Sequence, residues 1–125
     1  MNQTKKILLV EDNQLQLFQY GKFLLAEGYE LQTALSGAEA IEILESKSFA
    51  AVICDVQMRP GSGLIVLRYL NSFPEGVPLL LHSNEDTYRE GGLRLIPHEH
   101  AFAYFHNKHK EKFEVYFRAF LATLE

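Results

Sequence analysis

Two apolar runs in this chain end in acid. Lys6-Ile7-Leu8-Leu9-Val10 is followed by Glu11-Asp12, and Ala50-Ala51-Val52-Ile53-Cys54 is followed by Asp55. An unbroken run of this kind, β-branched at Val52 and Ile53, is what a strand covered on both faces requires. A carboxylate at the tip of such a strand lies at the carboxyl edge of a parallel sheet, where open α/β folds place their ligand sites. If the two strands are neighbours, three carboxylates converge, and at roughly 5 Å each pair repels by about 3 kcal/mol at an effective dielectric near 20. A hard divalent cation relieves that repulsion. Mg2+ takes oxygen ligands, keeps several waters and is held by one or two carboxylates together with a substrate phosphate. The plainer alternative is that Asp12 and Asp55 are N-caps in strand-to-helix loops, a position Asp favours.

The remaining elements must hold those acids together. Asn13 and Gln16 have the spacing of a capping box, and Leu17, Phe18, Gly21, Leu24 and Leu25 are assigned to one helical face that Gly28 closes. Tyr29 to Ala34 reads as a second strand. Ser36-Gly37-Ala38-Glu39 then opens a helix with Ala40, Ile41 and Leu44 inward. After the third strand comes a loop with Pro60 and Gly61, then Gly63 and a helix striped by Leu64, Leu67 and Leu70, ended by Pro74 and Gly76. Val77 to His82 is the fourth strand, finishing at Ser83-Asn84. A helix over Glu85 to Leu95 is expected to be short, because Gly91 and Gly92 each cost about 1 kcal/mol in a helix interior.

Ala101 to His106 is the fifth strand, and Phe113, Phe117, Phe120, Leu121 and Leu124 stripe a final helix. Val115 and Tyr116 fall off that stripe and are assigned to a partner surface, with the last helix a candidate homodimer contact. Strands alternating with helices, joined by right-handed crossovers, predict an α/β fold: a doubly wound, five-stranded parallel sheet with helices on both faces. The flavodoxin-like strand order 2-1-3-4-5 sets strands one and three side by side at the switch point, so Glu11, Asp12 and Asp55 meet there.

Composition narrows the function classes. With 125 residues, 47% apolar and 22% charged, the chain reads as a single globular domain over 1–125. A net charge of -4 shows no footprint for nucleic acid. The single cysteine, Cys54, cannot form an internal disulfide, and alternation turns it away from the side Asp55 uses, so it reads as a buried filler in a reducing compartment. No stretch has the length of a membrane span and the polar start is no signal peptide, so a cytoplasmic location is expected. His98, His100, His106 and His109 cluster late in the chain without a zinc-ligand spacing, and read as exposed polar residues.

These motifs, in this order, resemble the receiver domain of two-component response regulators over essentially the whole chain. Ile7-Leu8-Leu9-Val10-Glu11-Asp12 resembles the acidic first strand, and Asp55-Val56-Gln57-Met58 with Gly63 resembles the loop after the phosphoacceptor. Pro78-Leu79-Leu80-Leu81-His82-Ser83 resembles the fourth strand with its terminal hydroxyl, and Ala103-Tyr104-Phe105 resembles the fifth with its aromatic. The resemblance implies that Asp55 accepts a phosphoryl group from a sensor histidine kinase or phosphotransfer protein. It implies a phosphoacceptor signalling domain rather than an enzyme. Asp12, Asp55 and the backbone carbonyl of Gln57 would ligate Mg2+, with Glu11 assisting through water. Ser83 would hydrogen-bond a phosphoryl oxygen, its plainer role being a helix N-cap, and Tyr104 would rotate inward as Ser83 moves. The output would be a switched surface for a downstream protein target, or for an output domain on a longer chain.

The sequence departs from the family in the fifth strand. A lysine is expected three residues after the aromatic, but that register holds Asn107, followed by Lys108-His109. Lys108 takes the role only if the strand bulges or slips by one. Without that cation the phosphoryl oxygens lose a contact worth roughly 1.5–3 kcal/mol. The rival reading is a degenerate receiver that serves as a phosphorylation-independent interaction module. A flavodoxin is disfavoured because Glu11-Asp12-Asn13 would repel a flavin phosphate. A haloacid-dehalogenase-type phosphatase is disfavoured because position 57 is Gln, where a second Asp is needed.

Overall fold

The structure, a computed structural model, describes residues 5–56, 63–72, 76–83, 94–96, 103–107 and 112–124. Apolar runs become strands β1 (Lys6–Val10), β2 (Glu30–Ala34), β3 (Ala51–Asp55) and β4 (Leu79–Ser83). Helices α1 (Gln14–Ala26), α2 (Gly37–Leu44) and α3 (Leu64–Asn71) separate them. These four strands lie parallel in the expected order β2-β1-β3-β4. β3 is buried at all five positions, which is why its sequence reads as a continuous apolar run and not as an alternation.

Beyond β4 the sheet departs from the expected five parallel strands. Among the described residues it has six, with β6 (Ala103–Asn107) parallel to β4 and a short β5 (Arg94–Ile96) antiparallel to β6 at the edge. The helix expected over 85–95 is therefore corrected at its end, where Arg94 and Leu95 are strand residues; 84–93 lie outside the described residues. The local reason is plain: only six residues separate β5 from β6, close enough in the chain to pair antiparallel, and the two glycines weaken a helix before them. Four helices are found among the described residues, the last being α4 (Phe113–Ala122).

Strand alternation divides the core into two layers. Leu8, Val10, Val52, Cys54 and Leu81 face α2 and α3, meeting Ala40, Val66 and Leu70. Ile7, Leu9, Ile53 and Leu80 face α1 and α4, meeting Leu24, Phe117 and Phe120. Helices thus cover both faces, as expected.

Two assignments of helix faces are corrected. Phe18 and Leu25 are 67% and 58% exposed, because the buried stripe of α1 runs through Tyr20, Gly21 and Leu24, with Leu17 half-buried beside it, about 100° round the helix from them. Tyr116, expected on a partner surface, is only 2% exposed, whereas Val115 beside it is exposed.

The caps follow the sequence closely. Asn13 Oδ1 accepts from the Gln16 amide at 2.9 Å, and Gly28 follows α1 at φ 97°, a conformation glycine adopts at no cost. At α2, Ser36 Oγ accepts from the Glu39 amide at 3.1 Å while the Glu39 carboxylate reaches back to the Leu35 amide at 2.8 Å. Ser36→Ala removes the first of these bonds, and we expect a loss of about 1 kcal/mol in urea denaturation with no change in the acid pocket.

Candidate functional site

Pairing of β1 with β3 runs from Ile7↔Ala51 to Val10↔Cys54, so the next residues along, Glu11 and Asp55, come out side by side at the carboxyl rim. The Glu11 amide extends the other side of β1 by donating to the Ala34 carbonyl at 3.0 Å. Its carboxylate turns back and accepts from the Asn13 amide at 3.2 Å, which ties the acid to the start of α1. Glu11 and Asp55 are buried and Asp12 is exposed. One carboxylate oxygen from each of the three lies within 4.8 Å of the others. The three acids singled out from sequence therefore share one pocket.

The donor set fits a divalent cation. Three hard oxygen donors converge, two of them held in place by buried strand ends, and the exposed third leaves a side open to solvent for water and a ligand.

The wall behind Asp55 is tightly packed. The Val56 amide donates to the His82 carbonyl at 2.9 Å, and the Gly63 amide donates to the Val56 carbonyl at 2.8 Å, which ties the start of α3 to the end of β3. A Cβ at Gly63 would run into the Asp55 carbonyl oxygen and lie 2.9 Å from Cys54 Sγ. Cys54 faces the opposite layer, as alternation requires, and its thiol donates to the Asp55 carbonyl at 3.4 Å. Burial, and then the charges of Asp55 and Glu11, push that thiol well above its usual pKa, so it stays protonated and poorly nucleophilic.

Ser83 ends β4 at the same rim, and its backbone pairs with Asn107. The register is continuous from Leu79↔Ala103 to Ser83↔Asn107, so no bulge interrupts β6 and Asn107 holds the position opposite Ser83. Tyr104 pairs with Leu80. Gln57, Lys108 and His109 lie outside the described residues, as do His98 and His100.

One buried polar group beside the pocket was not singled out from sequence. His82, fully buried, is the register partner of Asp55, and its ring lies 5.5 Å from that of Tyr20. The available signal was parity: His82 has the same alternation as Leu80 in a strand covered on both faces, which places an imidazole in the core.

A mainly parallel α/β sheet with an acid trio at the β1/β3 switch point defines a flavodoxin-like domain whose site suits a divalent cation. The chain belongs to the response regulator receiver domain family of two-component systems, which it matches over residues 7–95. Among its relatives is the polar-differentiation response regulator DivK of Brucella ovis, 29% identical over 97 residues, covering 71% of this chain and 79% of the relative. In fold it is similar to TrrA of Thermotoga maritima in complex with Mg2+ and beryllofluoride, with a TM-score of 0.76 at 22% identity over 98% of this chain and all of that one. A CheY-like receiver domain from Methylobacillus flagellatus gives a TM-score of 0.75 at 17% identity over 98% of this chain and all of that one.

Proposed function

We propose that Asp55 accepts a phosphoryl group, with Mg2+ bound at Glu11, Asp12 and Asp55, and that the product switches a protein-interaction surface. The observation that carries this reading is the convergence of the three carboxylates within 4.8 Å at the mouth of the sheet. The donor is a sensor histidine kinase or a phosphotransfer protein. An Asp55 carboxylate oxygen forms the new bond to phosphorus as the bond from phosphorus to the donor imidazole nitrogen breaks. That nitrogen keeps the electron pair and takes a proton from water. When bound, Mg2+ supplies neutralisation of the charge on the transferred oxygens, the main requirement of a reaction with little covalent work for the protein.

The chain's own residues do the rest. β1 and β3 fix the direction of the Asp55 carboxylate, and the Gln57 carbonyl completes the ligand set. Ser83 hydrogen-bonds a phosphoryl oxygen from the next strand tip; the unbroken β6 register sets Asn107 opposite it, so Lys108 supplies the cation only by a slip of one residue past the end of that strand. Support comes also from TrrA, a protein of the same fold that holds Mg2+ with beryllofluoride. We place the domain over 1–125 and its work in the cytoplasm, on a downstream protein target.

Incubation with Mg2+ and acetyl phosphate, read by intact mass, tests this. One added phosphoryl group with Mg2+ and none with EDTA is the expected result; no addition from either acetyl phosphate or a phosphorylated histidine donor overturns it. In that event the second reading, a phosphorylation-independent interaction module, is favoured by Asn107 standing opposite Ser83.

Mg2+ also stabilises the fold by mass action. At a free concentration about 100 times its Kd the gain is about 2.7 kcal/mol. We expect that gain in thermal unfolding of the parent and most of it to vanish in Asp12→Asn.

A further inference from the structure

The layer between the sheet and helices α1 and α4 is mainly aromatic and aliphatic, yet three polar rings meet in it. Tyr20 comes from α1, His82 from β4 and Tyr116 from α4, and all three are buried. His82 Nδ1 lies 3.2 Å from the Tyr116 hydroxyl, and Tyr116 also acts on the Tyr20 hydroxyl as a polar neighbour that lowers its pKa. The His82 ring packs edge-on against Tyr20 and Phe117, at 5.5 and 5.9 Å between centroids. Hydrocarbon side chains would fill this layer without the cost of burying polar groups, which is offset only while each is hydrogen-bonded.

One end of the trio lies in the field of the acid pocket. The Tyr20 hydroxyl is driven above its usual pKa by burial first, then by the charges of Glu11 and Asp55, against a lowering by Tyr116. The other end lies on α4, where Val115 and Arg118 are exposed. Arg118 crosses to α1, pairing with Glu27 at 3.4 Å and lying 5.0 Å from the Phe23 ring centroid.

We propose that Tyr20, Tyr116 and His82 form a buried polar link that carries a change of charge at Asp55 to α4, so that the face around Val115 and Arg118 reports the state of the pocket. The Tyr116 hydroxyl has one proton and two neighbours. With the pocket strongly negative, the Tyr20 hydroxyl directs its proton toward the acids and accepts from Tyr116. When that charge falls, the Tyr20 proton turns to Tyr116, and Tyr116 donates to His82 instead. Two discrete arrangements of one network, each favoured by a different pocket charge, are what coupling between sites requires. As a signalling device this rests on the phosphoacceptor reading, but the link itself needs only a change of charge.

The test therefore changes the charge in two ways. Amide and imidazole NMR spectra of the full chain are compared between parent and Asp55→Asn without ligand, and in the parent before and after saturation with Mg2+ and beryllofluoride. In both comparisons we expect shifts in amides 115–121 and in the His82 ring nitrogens. The same comparisons in Tyr116→Phe should leave those signals still, while the rim amides 11–13 and 55–56 move as in the parent. Tyr20→Phe, which cuts the link at its other end, should give the same silence and serves if Tyr116→Phe does not fold. Helix signals that respond to Asp55→Asn equally in parent and Phe-substituted backgrounds overturn the link. A parent that responds to Asp55→Asn but gives no rim shift with beryllofluoride leaves the link standing and counts against phosphoryl acceptance alone.

Discussion

Asp55→Asn is expected to abolish the phosphoryl mass gain and at the same time to make the metal-free protein harder to unfold. The first effect follows from chemistry: an amide of the same shape lacks the anionic oxygen that attacks phosphorus. The second follows from the pocket. At 4.8 Å and an effective dielectric near 20, two carboxylates repel by about 3 kcal/mol, and Asp55 takes part in two such pairs. The pair with exposed Asp12 is discounted for solvent screening. A net gain of about 1–3 kcal/mol in urea denaturation remains, together with a weaker stabilisation by Mg2+. Equal phosphorylation of parent and variant would move the acceptor elsewhere. A variant less stable than the parent would show that the acids do not strain one another.

The second large effect is expected from Gly63→Ala. Gly63 has φ -61° and ψ -16°, helical angles that alanine adopts freely, so no backbone strain opposes the change. The obstacle is the Asp55 carbonyl oxygen, which a Cβ would run into, with Cys54 Sγ 2.9 Å away. Neither the end of a buried strand nor a buried thiol can give way cheaply. We expect a loss of about 3 kcal/mol in stability and a marked fall in phosphorylation rate, since the displaced backbone is that of the proposed acceptor. Gly21→Ala is the control: its Cβ would meet only Leu31 Cδ1, at 3.2 Å, and alanine suits a helix interior better than glycine. It should fall within about 1 kcal/mol of the parent. Similar losses from the two changes would mean that glycine content, and not close approach to Asp55, sets the cost.

Much of the fold was legible because buried parallel strands betray themselves as apolar runs. β1 matches its expected bounds, Lys6–Val10, and β3 begins one residue later than expected, at Ala51. The caps at Asn13 and Ser36 were legible because their bonds are local, three residues apart. The face of α1 was read too broadly: apolar spacing admits Phe18 and Leu25 to the core, yet the sheet is wide enough to cover only the stripe through Tyr20 and Leu24. The far edge of the sheet was read less well, because β5 is three residues long and paired only by its proximity to β6. Tyr116 was placed off the stripe although it lies three residues after Phe113 and four before Phe120, and the imidazole its hydroxyl meets is not visible in that spacing.

The sequence alone determined that three carboxylates stand at the ends of two buried strands, since the run of apolar residues and the abrupt change to acid are properties of neighbours in the chain. Tertiary structure decided what surrounds them: the glycine pressed against the Asp55 backbone, the imidazole behind it and the tyrosine that α4 brings to that ring. His82 and Tyr116 are 34 residues apart in sequence. Contacts of that kind depend on how whole elements cross, and no local pattern encodes them.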